Sequence, residues 1–451
     1  MSATDAASAA LDFLAEMIGM ARAAGADAAD ALLLEGTALG ASFRLGRPED
    51  VKRSEGADLG LRVLIGRRQA FVSSSDRGRE AVAALVERAL AMARAAPEDA
   101  YCGLADEALL CRAAAELDLS DDSGEPQAAA LFERARQAEE AALAVEGVTN
   151  SEGAGASWSA SRVALATSAG FAGSYASTHH GVSVSVIAGS GTAMERDYDF
   201  AQARHFAELP PPEAVGHSAG LLAVKRLHPR KVASRTVPVV FAPRVASSLL
   251  GHLAAAISGP AVARGTSFLK DRLNTQIFAP GITIIDDPHR RRGLRSKPFD
   301  GEGVTTRRRN LIEDGRLTTW LLESASARQL GLSTTGHASR APAAPPAPSA
   351  TNLYLEPGMV TEAELIEDIA DGFYVSELIG FGVNGVTGDY SRGAAGFWIE
   401  GGEIAYPVSE LTIAGNLKDM FRSLTPASNL TFKYGTDSPT VHIDGLTVAG
   451  T

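Results

Sequence analysis

Thiols are scarce in this chain: 451 residues contain two cysteines, Cys102 and Cys111. A disulfide framework or a zinc–thiolate cluster needs more than that, and such sparse use fits a reducing compartment. Long apolar runs are also missing, and none approaches the roughly 20 residues that a membrane span requires. A signal peptide needs a basic start and an unbroken apolar segment. The opening MSATDAASAALDFLAEMIGMARAAG is instead interrupted by Asp5, Asp12 and Glu16. Leu11, Leu14, Ile18 and Ala21 recur there at helical spacing, so an amphipathic helix is expected, in a cytoplasmic protein without membrane contact. Positive charge is in deficit. Lys and Arg number 42 against 54 Asp and Glu, a net charge of -12. Phosphate neutralisation needs the opposite balance, so nucleic acid is not an expected partner. What is present, 45% hydrophobic and 21% charged residues, is ordinary for a globular protein. The length allows two or three domains with a full core.

The spacing of apolar residues predicts an α+β fold. Residues 31–45 read as a strand pair, and Leu59 to Ile65 with Gln69 to Ser74 read as a hairpin turning at Gly66 and Arg67. Asp76 is the expected N-cap of a helix reaching about Ala95, with Val82, Leu85, Val86 and Ala89 on its apolar face. A further helix is expected over 127–144. Val182, Val184 and Val186 then alternate with Ser183 and Ser185, which implies an antiparallel sheet with one wetted face. A helix is expected over 213–226, a strand at Val237 to Pro243, a helix over 244–257 and a strand at Ile282 to Ile285. We divide the chain into an N-terminal mixed α/β region (1–110), a middle helix and antiparallel section of the same lobe (111–229), and a C-terminal β-rich domain with mainly antiparallel strands (230–451). Four prolines between Ala338 and Ala350 predict an exposed loop of polyproline character.

Four short patterns suggest chemistry, and each lacks the context that the chemistry needs. Gly216-His217-Ser218-Ala219-Gly220 matches the nucleophile elbow of serine hydrolases, which works only on a sharp strand-to-helix turn. Pro210, Pro211 and Pro212 precede it, so no central strand leads in. Gly380 to Gly385 matches G-x-G-x-x-G, yet the following VTGDYSRGAAGFWIEGG is too glycine-rich to start the helix that a dinucleotide site requires. A zinc-peptidase helix needs a His directly before its general-base Glu, and none of the nine histidines is followed by Glu. His179 and His180 are adjacent and point to opposite faces of a strand. The triplets Arg290 to Arg292 and Arg307 to Arg309 read as solvated faces or as partners of Asp286, Asp287, Asp300 and Glu302.

Longer stretches carry a resemblance. They include Arg53-Ser54-Glu55-Gly56 with LGLRVLIGRRQA, then NSEGA (150–154), LATSAGFAGSYAST (165–178) and SVSVIAGSGTAMERDYDF (183–200). IIDDP (284–288), PFDGEGVTTRRRNLIEDGRL (298–317), STTGHASR (333–340), TNLYLEPG (351–358) and the run from Gly380 to Phe421 follow. In this order they resemble the TldD/PmbA family over most of the chain. That resemblance implies a role in peptide hydrolysis, because TldD-type members carry H-E-x-x-x-H on a helix and a Cys ligand near the C-terminus. Here Gly251 and Ala256 stand where the histidines would be, His252 stands where the Glu would be, and TFKYGTDSPTVHIDG has no Cys. The chain is therefore similar to the metal-free TldE/PmbA-type branch, with no catalytic residue and no metal ligand of its own. Zinc is expected in a TldD-like partner subunit, in a heterodimer acting on unfolded or modified peptides. The alternative is a stand-alone or homodimeric protein that binds peptides without cleaving them. The Gly-rich run supplies the candidate substrate contacts Gly382, Asn384, Asp389, Tyr390, Ser391 and Gly393, since glycine lets another backbone approach and the polar side chains offer hydrogen bonds.

Overall fold

Unusually long strands organise the N-terminal half of the computed structural model, which describes residues 3–450. In chain order they and their helices are α1 (Ala3–Ala23), β1 (Ala28–Arg44), β2 (Arg47–Ile65), β3 (Arg68–Ser74), α2 (Arg79–Ala95) and α3 (Ala128–Leu143). Next come β4 (Val148–Thr167), β5 (Ala172–Ala188), β6 (Glu195–Ala203) and α4 (Pro212–Lys225). The six strands make one antiparallel sheet in the order β3-β2-β1-β4-β5-β6. Alternate residues of each strand share a face. Ala31 and Leu33 of β1 thus bury against α1 and α2, and Val182, Val184 and Val186 of β5 bury against α3 and α4. Leu32 and Leu165, on the other face, meet Phe299 and Val304 from the second half of the chain.

Two expectations for this lobe are corrected. Residues 31–45 are not a strand pair but belong to the single strand β1, hydrogen-bonded on both sides, with Gly36 opposite Gly56 and Ser161. Gly36 and Gly40 are extended within it. The turn lies at Leu45 and Gly46, whose φ values of 48° and 77° make the tight two-residue connection to β2. Asp76 does not cap α2. The N-cap is Gly78, and Asp76 accepts from the Gly78 N–H at 2.8 Å, so its carboxylate closes a turn just upstream of the helix. The hairpin turning at Gly66 and Arg67 is as expected, with Ile65 opposite Arg68.

The C-terminal half is built on β7 (Arg235–Phe241), α5 (Pro243–Ala256), β8 (Asp371–Ile379), β9 (Asp389–Glu400), β10 (Glu403–Asn416) and β11 (Val441–Ala449). Their order is β10-β9-β8-β7-β11, and β10 pairs back onto β11 at Thr412 to Ala414. The sheet therefore closes into a ring, which leaves few free edges. Within the ring β7 and β8 run parallel and the other neighbours antiparallel, and the domain is β-rich with mainly antiparallel strands. The strand expected at Ile282 to Ile285 spans Ile284–Asp286 and belongs to a smaller sheet. One core holds this half together, with Phe241, Leu253, Phe278, Trp398 and Phe421 buried in it.

Residues 338–350 form a largely exposed loop as expected, but its two ends pair with each other. Ala338–Ser339 pairs with Ala347–Pro348 as a short ribbon leaning on the N-terminal lobe. A Cβ on Gly60 would lie 2.4 Å from the Pro342 carbonyl oxygen, so only glycine permits that approach. The Arg340 side chain is buried and pairs with Asp30, which also accepts from Arg62 Nε at 2.7 Å. A guanidinium taken out of water needs a carboxylate, and here the nearest one is on the other lobe.

Candidate functional site

Helix α5 leaves β7 through Pro243 at its first turn, where a missing N–H costs nothing. Val245, Ala246, Leu249, Leu250, Leu253 and Ala256 bury one face in the core. The three positions aligned with the zinc motif now have definite surroundings. Gly251 is exposed, with nothing within 4 Å of where a Cβ would stand. Ala256 is buried and offers no ligand atom. His252 lies edge-on to Tyr390 of β9, with ring centroids 6.0 Å apart. Burial, and then the charge of Arg392, push its imidazole below the usual histidine range, so it is neutral at pH 7.

Tyr390 and Arg392 stand two residues apart on β9 and so share a face. Tyr390 is 1% exposed, and burial raises its phenol far above the ordinary value. Three polar atoms in this cluster, His252 Nε2, Tyr390 Oη and Arg392 Nε, are buried without a hydrogen-bond partner. These donors do not fit zinc. One imidazole is present, no carboxylate or thiolate joins it, and a guanidinium opposes a second cation. Among the described residues no group of three or more His, Cys, Asp or Glu is placed to hold a metal ion.

The other residues singled out in the Gly-rich run take up different places. Residues 380–388 connect β8 to β9. Asn384 Oδ1 accepts from the Val386 N–H at 2.9 Å, and the Asp389 carboxylate accepts from Thr387 Oγ1 at 2.6 Å and Asn416 Nδ2 at 3.0 Å. Both side chains thus organise the turn itself. Ser391 points to solvent, its N–H donating to the Gly382 carbonyl at 2.7 Å. A Cβ on Gly382 would fall 2.0 Å from the Ser391 carbonyl oxygen, and one on Gly393 would meet Ile379 at 3.2 Å. Of the six residues only Tyr390 reaches α5. Ile379, Phe381 and Val386 of this hairpin tip are exposed.

The remaining motifs are structural. Gly216 lies inside α4 rather than on a strand-to-helix turn, and a Cβ there would stand 2.0 Å from the Ala138 carbonyl oxygen of α3. The glycine pattern beginning at Gly380 leads into β9, not a helix. His179 pairs with Gln202 at 3.0 Å, while His180, on the opposite face of β5, is 3.2 Å from the Asp121 carboxylate. The arginine triplets do not pair with the carboxylates nearest in sequence. Arg292 pairs with Asp118 at 2.6 Å and with Glu208 at 2.7 Å, and Arg291 with Asp118 at 2.8 Å, because lobe packing brings those acids close. Asp286 instead accepts from Thr351 and stands 3.2 Å from His337 Nε2, and Asp300 accepts backbone N–H groups. A cleft of about 700 Å³ between the lobes escaped the sequence reading altogether. Tyr374, Phe397, Tyr406 and Tyr434 line it beside Arg244 and Lys433. These residues share no motif, and only the topology gathers them.

A long-stranded sheet with four helices on one face, a closed β-ring and a ring-associated helix without metal donors define a two-lobed α+β protein. Sequence profiles match along the chain: PmbA/TldA metallopeptidase domain 1 at residues 29–93, the central domain at 121–227 and the C-terminal domain at 234–450. Metalloprotease PmbA of Escherichia coli O157:H7 is 41% identical over 404 residues, 89% of this chain and 88% of that protein. The Metalloprotease PmbA homolog of Haemophilus influenzae is 38% identical over 436 residues, 96% and 94% of the two chains. The chain belongs to the PmbA/TldD metallopeptidase family. Its fold matches the crystal structure of TldE from Thermococcus kodakarensis with a TM-score of 0.87 at 20% identity, over 97% of this chain and 100% of that one.

Proposed function

We propose that this chain is a non-catalytic subunit of a cytoplasmic two-chain zinc metallopeptidase, acting with a TldD-like partner on unfolded or modified peptides. Family membership supports a protease-related role. The observation that carries the finer reading is α5. Gly251 and Ala256 have no ligand atoms, and the single imidazole of His252 sits beside a guanidinium rather than a carboxylate. Amide hydrolysis by a zinc site needs an open metal with its bound water and a general base, and α5 supplies neither. The partner chain holds the zinc, and this chain helps to form the chamber around it and to hold the extended substrate. The same surfaces would serve a homodimer if the chain captures peptides without cleavage.

The test is metal content and peptidase activity of the purified chain, alone and mixed with a TldD-like chain that has an intact H-E-x-x-x-H. The expected result is substoichiometric zinc and no cleavage alone, with cleavage in the mixture. Stoichiometric zinc in the lone chain would overturn the reading. Peptide binding by the lone chain, with no gain of cleavage on mixing, would move it to the binding-protein alternative.

A further inference from the structure

We propose that His252, Tyr390 and Arg392 form a carboxylate-binding site at the place on α5 where a zinc site would otherwise stand. The inference rests on the peptide-handling reading for the identity of its ligand, and on geometry for its chemistry. Buried polar groups are almost always hydrogen-bonded, and one left alone is destabilising. Here three such atoms, on a helix and a facing strand, are unpartnered within one cluster. Arg392 makes no ion pair with any described carboxylate, its charge acts on both His252 and Tyr390, and it lies 5.9 Å from the Phe381 ring. A half-buried guanidinium without a counter-ion is a standing demand for an anion.

The donor set narrows that anion to a class. Arg392 Nε–H and Tyr390 O–H are two donors on one strand face, and the neutral His252 ring adds a third donor or an acceptor according to its tautomer. One positive charge matches a monoanion, and the guanidinium edge suits the planar, two-oxygen carboxylate. A metal cation is disfavoured by the same charge. The group recognised is a carboxylate, carried by a peptide C-terminus or by a small free acid.

The test uses the full chain alone. N-acetyl-trialanine, its C-terminal amide and sodium acetate are titrated by calorimetry, while the His252 ring protons are followed by NMR. The free-acid peptide should bind at least about tenfold more tightly than the amide and shift the His252 resonances, because a charge-assisted hydrogen bond carries that much. Arg392→Gln should erase the preference. Tyr390→Phe, which removes only an unpartnered hydroxyl, should weaken acid binding several-fold without loss of folding. Acetate acting as strongly as the peptide would assign the site to small acids, within the same chemistry. Equal binding of acid and amide, binding of neither, or a preference that survives Arg392→Gln would overturn the site. Each of those failures leaves the helper-subunit reading standing, since that reading is judged by zinc and cleavage in the mixture.

Discussion

Asp300 is a carboxyl group held against its chemistry. It is 1% exposed, and burial followed by the nearby Glu302 charge pushes it up to about 7 from an ordinary 3.8. The folded protein therefore binds this proton more tightly than the unfolded chain does. The stabilisation is complete below about pH 3.8 and is lost as pH rises toward 7. Asp300→Asn should flatten that part of the stability profile, measured as urea midpoints between pH 4 and 7, even though the amide gives up one of the backbone bonds that Asp300 accepts from Glu302, Val304 and Ala338. A profile as steep as the wild type would refute the assignment. At this scale the sequence was partly readable. The residue types at 251, 252 and 256 already show the missing ligands, and Tyr390 stood among the candidates. Arg392 did not, because strand alternation places it on the Tyr390 face but cannot show that no carboxylate meets it. Nor can sequence distinguish Asp300, buried beside Glu302, from a solvated acid.

Among the elements, α3 and α4 show how a catalytic pattern can be a packing pattern. Gly216 and Gly220 bring α4 against α3, where added Cβ atoms would stand 2.0 Å from the Ala138 carbonyl oxygen and 2.6 Å from Val145. Gly216→Val must push the helices apart and should cost about 1–3 kcal/mol or more, as overpacking does. Ser218→Ala, in the same pattern, should leave the thermal midpoint nearly unchanged. A tolerated Gly216→Val would show that the helices are not in close register. The prolines before Glu213 led to the helical reading, so this element was legible. β1 was not. Gly36 and Gly40 lie inside one extended strand flanked by two others, and its pairing with β4 joins residues more than a hundred apart. Non-local pairing of this kind decides strand length, and local pattern cannot report it.

The whole molecule depends on charges shared between lobes. Asp197 of β6 is 3% exposed and accepts from Arg244 Nη1 at 2.8 Å and Nη2 at 3.1 Å, at the start of α5. Arg226, which follows α4, lies 3.5 Å from Asp197 and 2.5 Å from Glu377 of β8. Asp197 thus meets both guanidinium groups across the lobe junction, with Glu377 and Glu195 as further partners of Arg226, and Arg244 also lines the aromatic cleft. Removing Asp197 leaves Arg244 without a carboxylate partner among the described residues, while Arg226 keeps Glu195 and Glu377, and losing the partner of a buried charge costs about 3–5 kcal/mol. That loss should fall on the junction rather than on either core, because the main cores lie within the lobes. Asp197→Ala should therefore split a single calorimetric transition into two and speed proteolysis of the connection at 226–234. The double variant Asp197→Ala with Arg244→Met should recover part of the loss, since it removes a stranded charge together with its partner. A single unsplit transition at the wild-type midpoint would mean that apolar contact between the lobes, such as Leu32 and Leu165 against Phe299, holds them without these charges.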